Sequence, residues 1–226
     1  MLILPVLLYG GIFPEGNMAE RIGFIGLGKM GHGMAANLVK AFPVTGWDVE
    51  PSRFQGLGEV RRAASVAELA RESTCVCLSL PGAHIVEDVC VGRDGIAERL
   101  SPGSLVVDLS TSLPSTSRRI AARLAEKGIQ FADAPVSGGE AGARDGTLAI
   151  MVGAPAAVYD RAQPVLKAMG GSVVRVGDVG AGGVAKLVNN MVVAATFAVI
   201  AEGFALAERN GIDLQVLYES IRGGWA

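Results

Sequence analysis

Histidine and cysteine are scarce in this sequence, with two of the first and three of the second among 226 residues. His32 and His84 have no companion at ligand spacing, and Cys75-x-Cys77 has no second pair, so no metal site is expected. Cys75, Cys77 and Cys90 read as buried, reduced thiols, which points to the cytoplasm. A dominant charge is missing too. Twenty Lys and Arg face 22 Asp and Glu, a net charge of -2 with no long basic run, which argues against nucleic acid as the main partner. The apolar run at residues 1–13 falls short of the roughly 20 residues that a bilayer requires. It has no Lys or Arg ahead of it and no clear cleavage site, so neither a membrane partner nor a signal peptide is expected. Met18 opens MAERIGFIGLG, which reads as a cytosolic start, and residues 1–17 read as a mis-assigned upstream start or a disordered extension.

Glycine and apolar residues are what the chain holds in excess. Its 31 glycines are roughly twice the average share, without a triplet period. A hydrophobic content of 50% excludes intrinsic disorder. Short apolar runs at residues 21–25, 44–47, 75–80, 104–109, 130–134, 148–152 and 172–176 read as strands. Helical stretches at residues 29–41, 65–72, 83–91, 114–127 and 155–169 alternate with them. This alternation predicts an α/β fold, a Rossmann-type doubly wound, mostly parallel sheet covered on both faces. After Gly177 the pattern changes. Residues 184–209 carry no strand punctuation and read as one long helix, with a shorter one at 213–222. Apolar residues nearly encircle the long helix, which predicts burial on several sides.

Gly26-Leu27-Gly28-Lys29-Met30-Gly31 is a G-x-G-x-x-G. In so glycine-rich a chain the hexapeptide alone could be a plain turn, but it follows a strand and opens a helix. Glycine there allows a tight turn, backbone approach to a pyrophosphate and close helix–strand packing, and the helix N-terminus offers free N–H donors. Asp48 ends the next strand twenty residues after Gly28, where a carboxylate can accept from an adenosine ribose diol; an ordinary turn residue is the other reading. Asp48 and Glu50 would repel a 2′-phosphate, so NAD is the expected cofactor, while nearby Arg53 leaves NADP open. The division expected is residues 1–17 outside the fold, 18–179 a dinucleotide-binding domain, and 180–226 the incomplete beginning of a helical domain.

No Ser-His-Asp set, nucleophile elbow or paired-carboxylate spacing stands out. Lys186 does, in the first turns of the apolar helix, with Asn190 four residues on and on the same face. Polar groups among Ala, Val and Leu need partners; a snorkelling lysine beside a local cap is the alternative to a catalytic pair. At Ser137-Gly138-Gly139 a strand runs into a turn whose successive N–H groups can form an anion nest, or can merely reverse the chain.

Three segments, GFIGLGKMGHGMAANL (23–38), DAPVSGGEAGARDGTLAIMVGA (133–154) and GAGGVAKLVNN (180–190), together resemble the β-hydroxyacid dehydrogenases. That resemblance implies hydride transfer between NAD or NADP and a short hydroxyacid or semialdehyde. It implies Lys186 as acid/base, Asn190 holding substrate, Ser137, Gly138 and Gly139 binding the substrate carboxylate, and Leu80, Pro81 and Thr111 lining the nicotinamide and its ribose. Residues 217–224 look more like tartronate semialdehyde reductases than 3-hydroxyisobutyrate dehydrogenases. The family's further helices, which build its homo-oligomer interface, do not follow, so a truncated chain is expected. A cofactor-binding module without turnover is the alternative function.

Overall fold

The computed structural model describes residues 20–224, and the expectations for residues 1–17 lie outside them. Nine strands form one sheet: β1 (Ile22–Ile25), β2 (Val44–Trp47), β3 (Arg61–Arg62), β4 (Cys75–Leu78), β5 (Leu105–Asp108), β6 (Gln130–Asp133), β7 (Val136–Ser137), β8 (Ala149–Gly153) and β9 (Ser172–Gly177). The helices are α1 (Lys29–Leu38), α2 (Val66–Glu72), α3 (Ala83–Val91), α4 (Pro114–Ala125), α5 (Gly139–Asp145), α6 (Ala156–Lys167), α7 (Ala181–Arg209) and α8 (Leu214–Ile221).

The strand order is 3-2-1-4-5-6-8-7, with β9 on β8. From β3 to β6 every pairing is parallel. β8 runs antiparallel to β6 and β7, then pairs parallel with β9. The doubly wound, mostly parallel sheet read from the sequence is therefore present. Order reverses beside β1, between α1 and the β4–α3 connection, which is where open α/β sheets bind ligands.

Alternate residues of the central strands feed two separate cores. Phe24, Cys75, Cys77, Leu105 and Val107 face one side, against α1 and α6. Ile25, Val76, Leu78 and Val106 face the other, against α2, α3 and α4. That two-sided burial explains why these strands read as unbroken apolar runs. All three cysteines are free and buried.

Three short elements escaped the sequence reading: β3, and, inside the stretch read as a glycine turn, β7 and α5. α5 packs on α1 at backbone distance. A Cβ on Gly33 would stand 2.8 Å from the Ala143 carbonyl carbon, and the buried Asn37 amide donates to Ala143 O (2.8 Å) and Arg144 O (3.1 Å).

The long helix starts earlier than its glycine run suggests, at Ala181 rather than Val184. Its N-terminal turns pack on β8, β9 and α4. Beyond them, Ala207 apart, the predicted burial is not found among the described residues. Met191, Val192, Phe197, Val199 and Leu206 are each at least 60% exposed. By length and composition this helix could cross a bilayer, yet its first turns belong to the sheet.

Candidate active site

β1 delivers Gly26 into a tight turn with φ +94°, where a Cβ would stand 2.2 Å from Ser79 O. A Cβ on Gly31 would stand 1.8 Å from Gly26 O, so the helix can approach the turn only without a side chain there. A Cβ on Gly28 would meet no protein atom, because the space beside it is open cavity. α1 has no side-chain N-cap and no acidic residue in its first turn, so its first amides point at that space without partners. The three glycines thus do three different jobs, and an open space before free amides fits a diphosphate.

Asp48 is held by two backbone donors, Leu27 N–H to Oδ2 (2.6 Å) and Glu50 N–H to Oδ1 (2.9 Å). Its carboxylate borders a cavity of about 650 Å³ that also takes in Gly26, Gly28, Lys29, Met30, Leu80 and Pro81. Arg53, on the same rim, is paired with Glu50 at 2.8 Å. Of the residues assigned to the cofactor, Leu27 and Gly31 stay buried beneath the cleft and shape it from behind.

A second cavity, of about 420 Å³, brings Thr111, Ser137, Gly138, Gly139, Lys186 and Asn190 together. Met30, Ser79 and Leu80 border both cavities, so the two are continuous. Gly138 and Gly139 have φ of +132° and +62°, a backbone path that favours glycine. Lys186 is half-buried, and desolvation draws its ammonium below the ordinary lysine range. Burial alone lowers it, which fits an amine waiting for a substrate proton.

Sequence reasoning missed Asn189, which lines this cavity and donates to Asn190 Oδ1 (3.4 Å). Ser110 was missed as well: its hydroxyl accepts from Leu80 N–H (2.9 Å) and fixes the strand end under the cleft. Two buried carboxylates stand behind the cavity on adjacent strands, Asp108 and Asp133. Asp108 accepts from Ser110 N–H (2.9 Å) and Ser112 Oγ–H (2.6 Å), yet burial still lifts its carboxyl to about 6. Asp133 is also raised by burial, against two amide bonds from the start of α7. Among the described residues no group of His, Cys, Asp or Glu could hold a metal.

Comparison with known proteins places this fold in a family. A family profile described as the NAD binding domain of 6-phosphogluconate dehydrogenase matches residues 21–177. A second, described as NAD-binding of NADP-dependent 3-hydroxyisobutyrate dehydrogenase, matches residues 180–226. The chain is 43% identical to 3-hydroxyisobutyrate dehydrogenase of Pseudomonas aeruginosa over 212 residues, covering 91% of this chain and 71% of that protein. It is 41% identical to the NAD-dependent L-serine dehydrogenase of the same organism, covering 92% and 72%. The solved structure of Mycobacterium tuberculosis 3-hydroxyisobutyrate dehydrogenase with L-serine superposes with a TM-score of 0.84 at 38% identity, covering 92% of this chain and 72% of that one. A dinucleotide cleft that opens into a lysine- and asparagine-lined cavity, on a sheet shared with these enzymes, means that the chain belongs to the NAD(P)-dependent β-hydroxyacid dehydrogenase family.

Proposed function

We propose that the chain oxidises short carboxylic acids bearing a primary hydroxyl on the β-carbon, with NAD as acceptor, and reduces the matching semialdehydes in reverse. One observation carries this reading: Lys186, Asn190 and the Ser137-Gly138-Gly139 loop share a cavity that opens onto the dinucleotide cleft. 3-Hydroxyisobutyrate and L-serine, named for similar proteins, both place a hydroxymethyl group next to the carbon bearing the carboxylate. Tartronate semialdehyde reduces to an acid of the same pattern, which keeps it in the substrate class.

A nicotinamide bound in the cleft supplies the hydride acceptor for oxidation and the donor for reduction. The residues of the chain do the rest. Ser137 Oγ and the amides of the positive-φ Gly138-Gly139 turn receive the substrate carboxylate. Asn190 holds the hydroxyl toward Lys186. As amine, Lys186 Nζ takes the hydroxyl proton during oxidation; as ammonium, it returns that proton to the aldehyde oxygen during reduction. Asp48 favours NAD, because its carboxylate meets the ribose diol and repels a 2′-phosphate. Arg53 is engaged by Glu50, which supports the same preference. The three buried free thiols support a reducing, cytoplasmic setting.

The test is NADH formation from 3-hydroxyisobutyrate, L-serine and glycerate, alongside NADH binding by nicotinamide fluorescence. Turnover of at least one acid, lost in Lys186→Ala with NADH binding kept, is the expected outcome. Binding of NADH with no turnover of any of the three would leave a cofactor-binding module instead.

A further inference from the structure

We infer that Asp133 is the positioning residue for the catalytic helix: its carboxylate pins the first turn of α7 to the sheet and so sets where Lys186 stands relative to the Ser137 loop. The inference rests on the catalytic reading of Lys186 given above. The N-cap of α7 is Gly180, which has no side chain to offer, and the first turn contains no acidic residue. Its free amides would need a partner. Asp133, 2% exposed at the end of β6, supplies it from outside the helix. Gly180 N–H donates to Oδ1 (2.6 Å) and Gly183 N–H to Oδ2 (2.8 Å). Amide bonds to an ionised carboxylate are short and stronger than neutral ones, and a negative charge at a helix N-terminus is further favoured.

Steric packing tightens the same joint. A Cβ on Gly182 would stand 2.4 Å from Met151 O and 2.6 Å from Asp133 O, and one on Gly153 would stand 2.5 Å from Asp133 Oδ1. The first turn of α7 therefore lies against β6 and β8 at backbone distance. Lys186 follows Gly183 by one helical turn, on the same face. Ser137 follows Asp133 by four residues along the chain. The root of the carboxylate-binding loop and the anchor of the lysine helix are thus one residue. A proton acceptor on one element and an anion site on another must keep a fixed separation, since a displacement of about 1 Å can cost roughly a hundredfold in rate.

The decisive variant is Asp133→Asn, equal in shape but with one oxygen replaced by an NH2 group that cannot accept. The expected result is kcat lower by about a hundredfold, KM changed less, and the NADH dissociation constant within about twofold of the parent. Lys186 should also be acylated by an amine-reactive ester at a rate altered at least about threefold, read by peptide mass spectrometry. In the unaltered protein the Gly180 and Gly183 amides should resist hydrogen exchange, although neither has an intrahelical partner.

Parental kcat in Asp133→Asn would overturn the inference, as would loss of NADH binding in step with kcat, which marks a general core role. If the variant fails to fold, exchange in the unaltered protein decides: protected Gly180 and Gly183 amides support the anchor, and free exchange overturns it. If no hydroxyacid is turned over by the parent, the catalytic reading falls. The Lys186 labelling rate and the amide exchange then judge the anchoring by itself.

Discussion

Phe24 and Phe197 are the same side chain under two regimes. Phe24, in the middle of β1, is wholly buried, while Phe197, midway along α7, is 68% exposed. In the sheet half, β1, β3, β4, β5 and β8 are each followed by an α-helix that packs on the sheet or its neighbours, so local sequence order already provides partners. α7 is rich in apolar residues too, but it finds cover chiefly at its two ends, the first turns on the sheet and α4 and Ala207 near α8, while the stretch between stays bare. Apolar content states how much surface wants covering, and topology decides whether a neighbour is at hand. The difference also separates chemistry from bulk: Lys186 and Asn190 lie on the anchored turns, and the bare stretch lies beyond them.

The largest expected effect tests the anchored turns. Lys186→Ala should lower kcat by about 10²–10⁴-fold while NADH fluorescence titrations stay unchanged, because general acid–base help of that size is lost without touching the cleft. The pH profile should carry the same signature. Lys186 is drawn below the ordinary lysine range, so oxidation should gain an alkaline limb as the amine forms, and reduction should lose activity over the same range. Matching limbs in both directions would break the assignment.

The next test concerns the two phenylalanines. Phe24→Ala should cost about 3–5 kcal/mol in urea unfolding, the range for deleting a buried aromatic side chain. Phe197→Ala should stay within about 0.5 kcal/mol, as exposed substitutions do. Equal losses would show that α7 is covered in solution and would erase the contrast.

A smaller effect, on the order of 3 kcal/mol, is expected from Asp108 behind the site. Its folded carboxyl titrates near 6 against an ordinary 3.8, raised by burial and, to a lesser degree, by Asp133 on the neighbouring strand. The native state therefore holds this proton more firmly than the unfolded chain does. The associated stability is fully present below the unfolded value and is lost as pH rises through about 6. Asp108→Asn, whose amide stays neutral, should flatten the stability curve between those two values in urea titrations at stepped pH. The smallest effect belongs to Gly28→Ala. With no protein atom near the new methyl, melting temperature should hold, while NADH affinity drops about tenfold because the methyl stands where a diphosphate would.

Much of the sheet was legible because a buried parallel strand and its following helix leave unmistakable periods. The G-x-G-x-x-G at 26–31 was legible for a related reason: strand, turn and helix occur in one stretch of chain. β7 and α5 were not. Gly139–Asp145 holds two glycines and presents no apolar stripe, so its packing on α1 comes from backbone fit rather than side chains. The antiparallel return of β8 was hidden too, since strand direction leaves no mark on an apolar run. Asp133 looked like part of a turn motif because its partners lie 47 and 50 residues downstream. The start of α7 was misplaced for the same reason. Gly180-Ala181-Gly182-Gly183 has poor helix propensity, and the Asp133 carboxylate that accepts from its Gly180 and Gly183 amides lies far off in the chain.

The Asn37 amide, bonded to two carbonyls at the end of α5, ties α1, proposed to face the diphosphate, to α5, which follows the proposed acid-binding loop. Gly33 removes the clearance that would let one slide past the other. New acids would then be accommodated by altering side chains around Ser137, Thr111 and Asn190, with the seat for the dinucleotide left untouched. In such a scaffold, taste can drift while the grip stays constant.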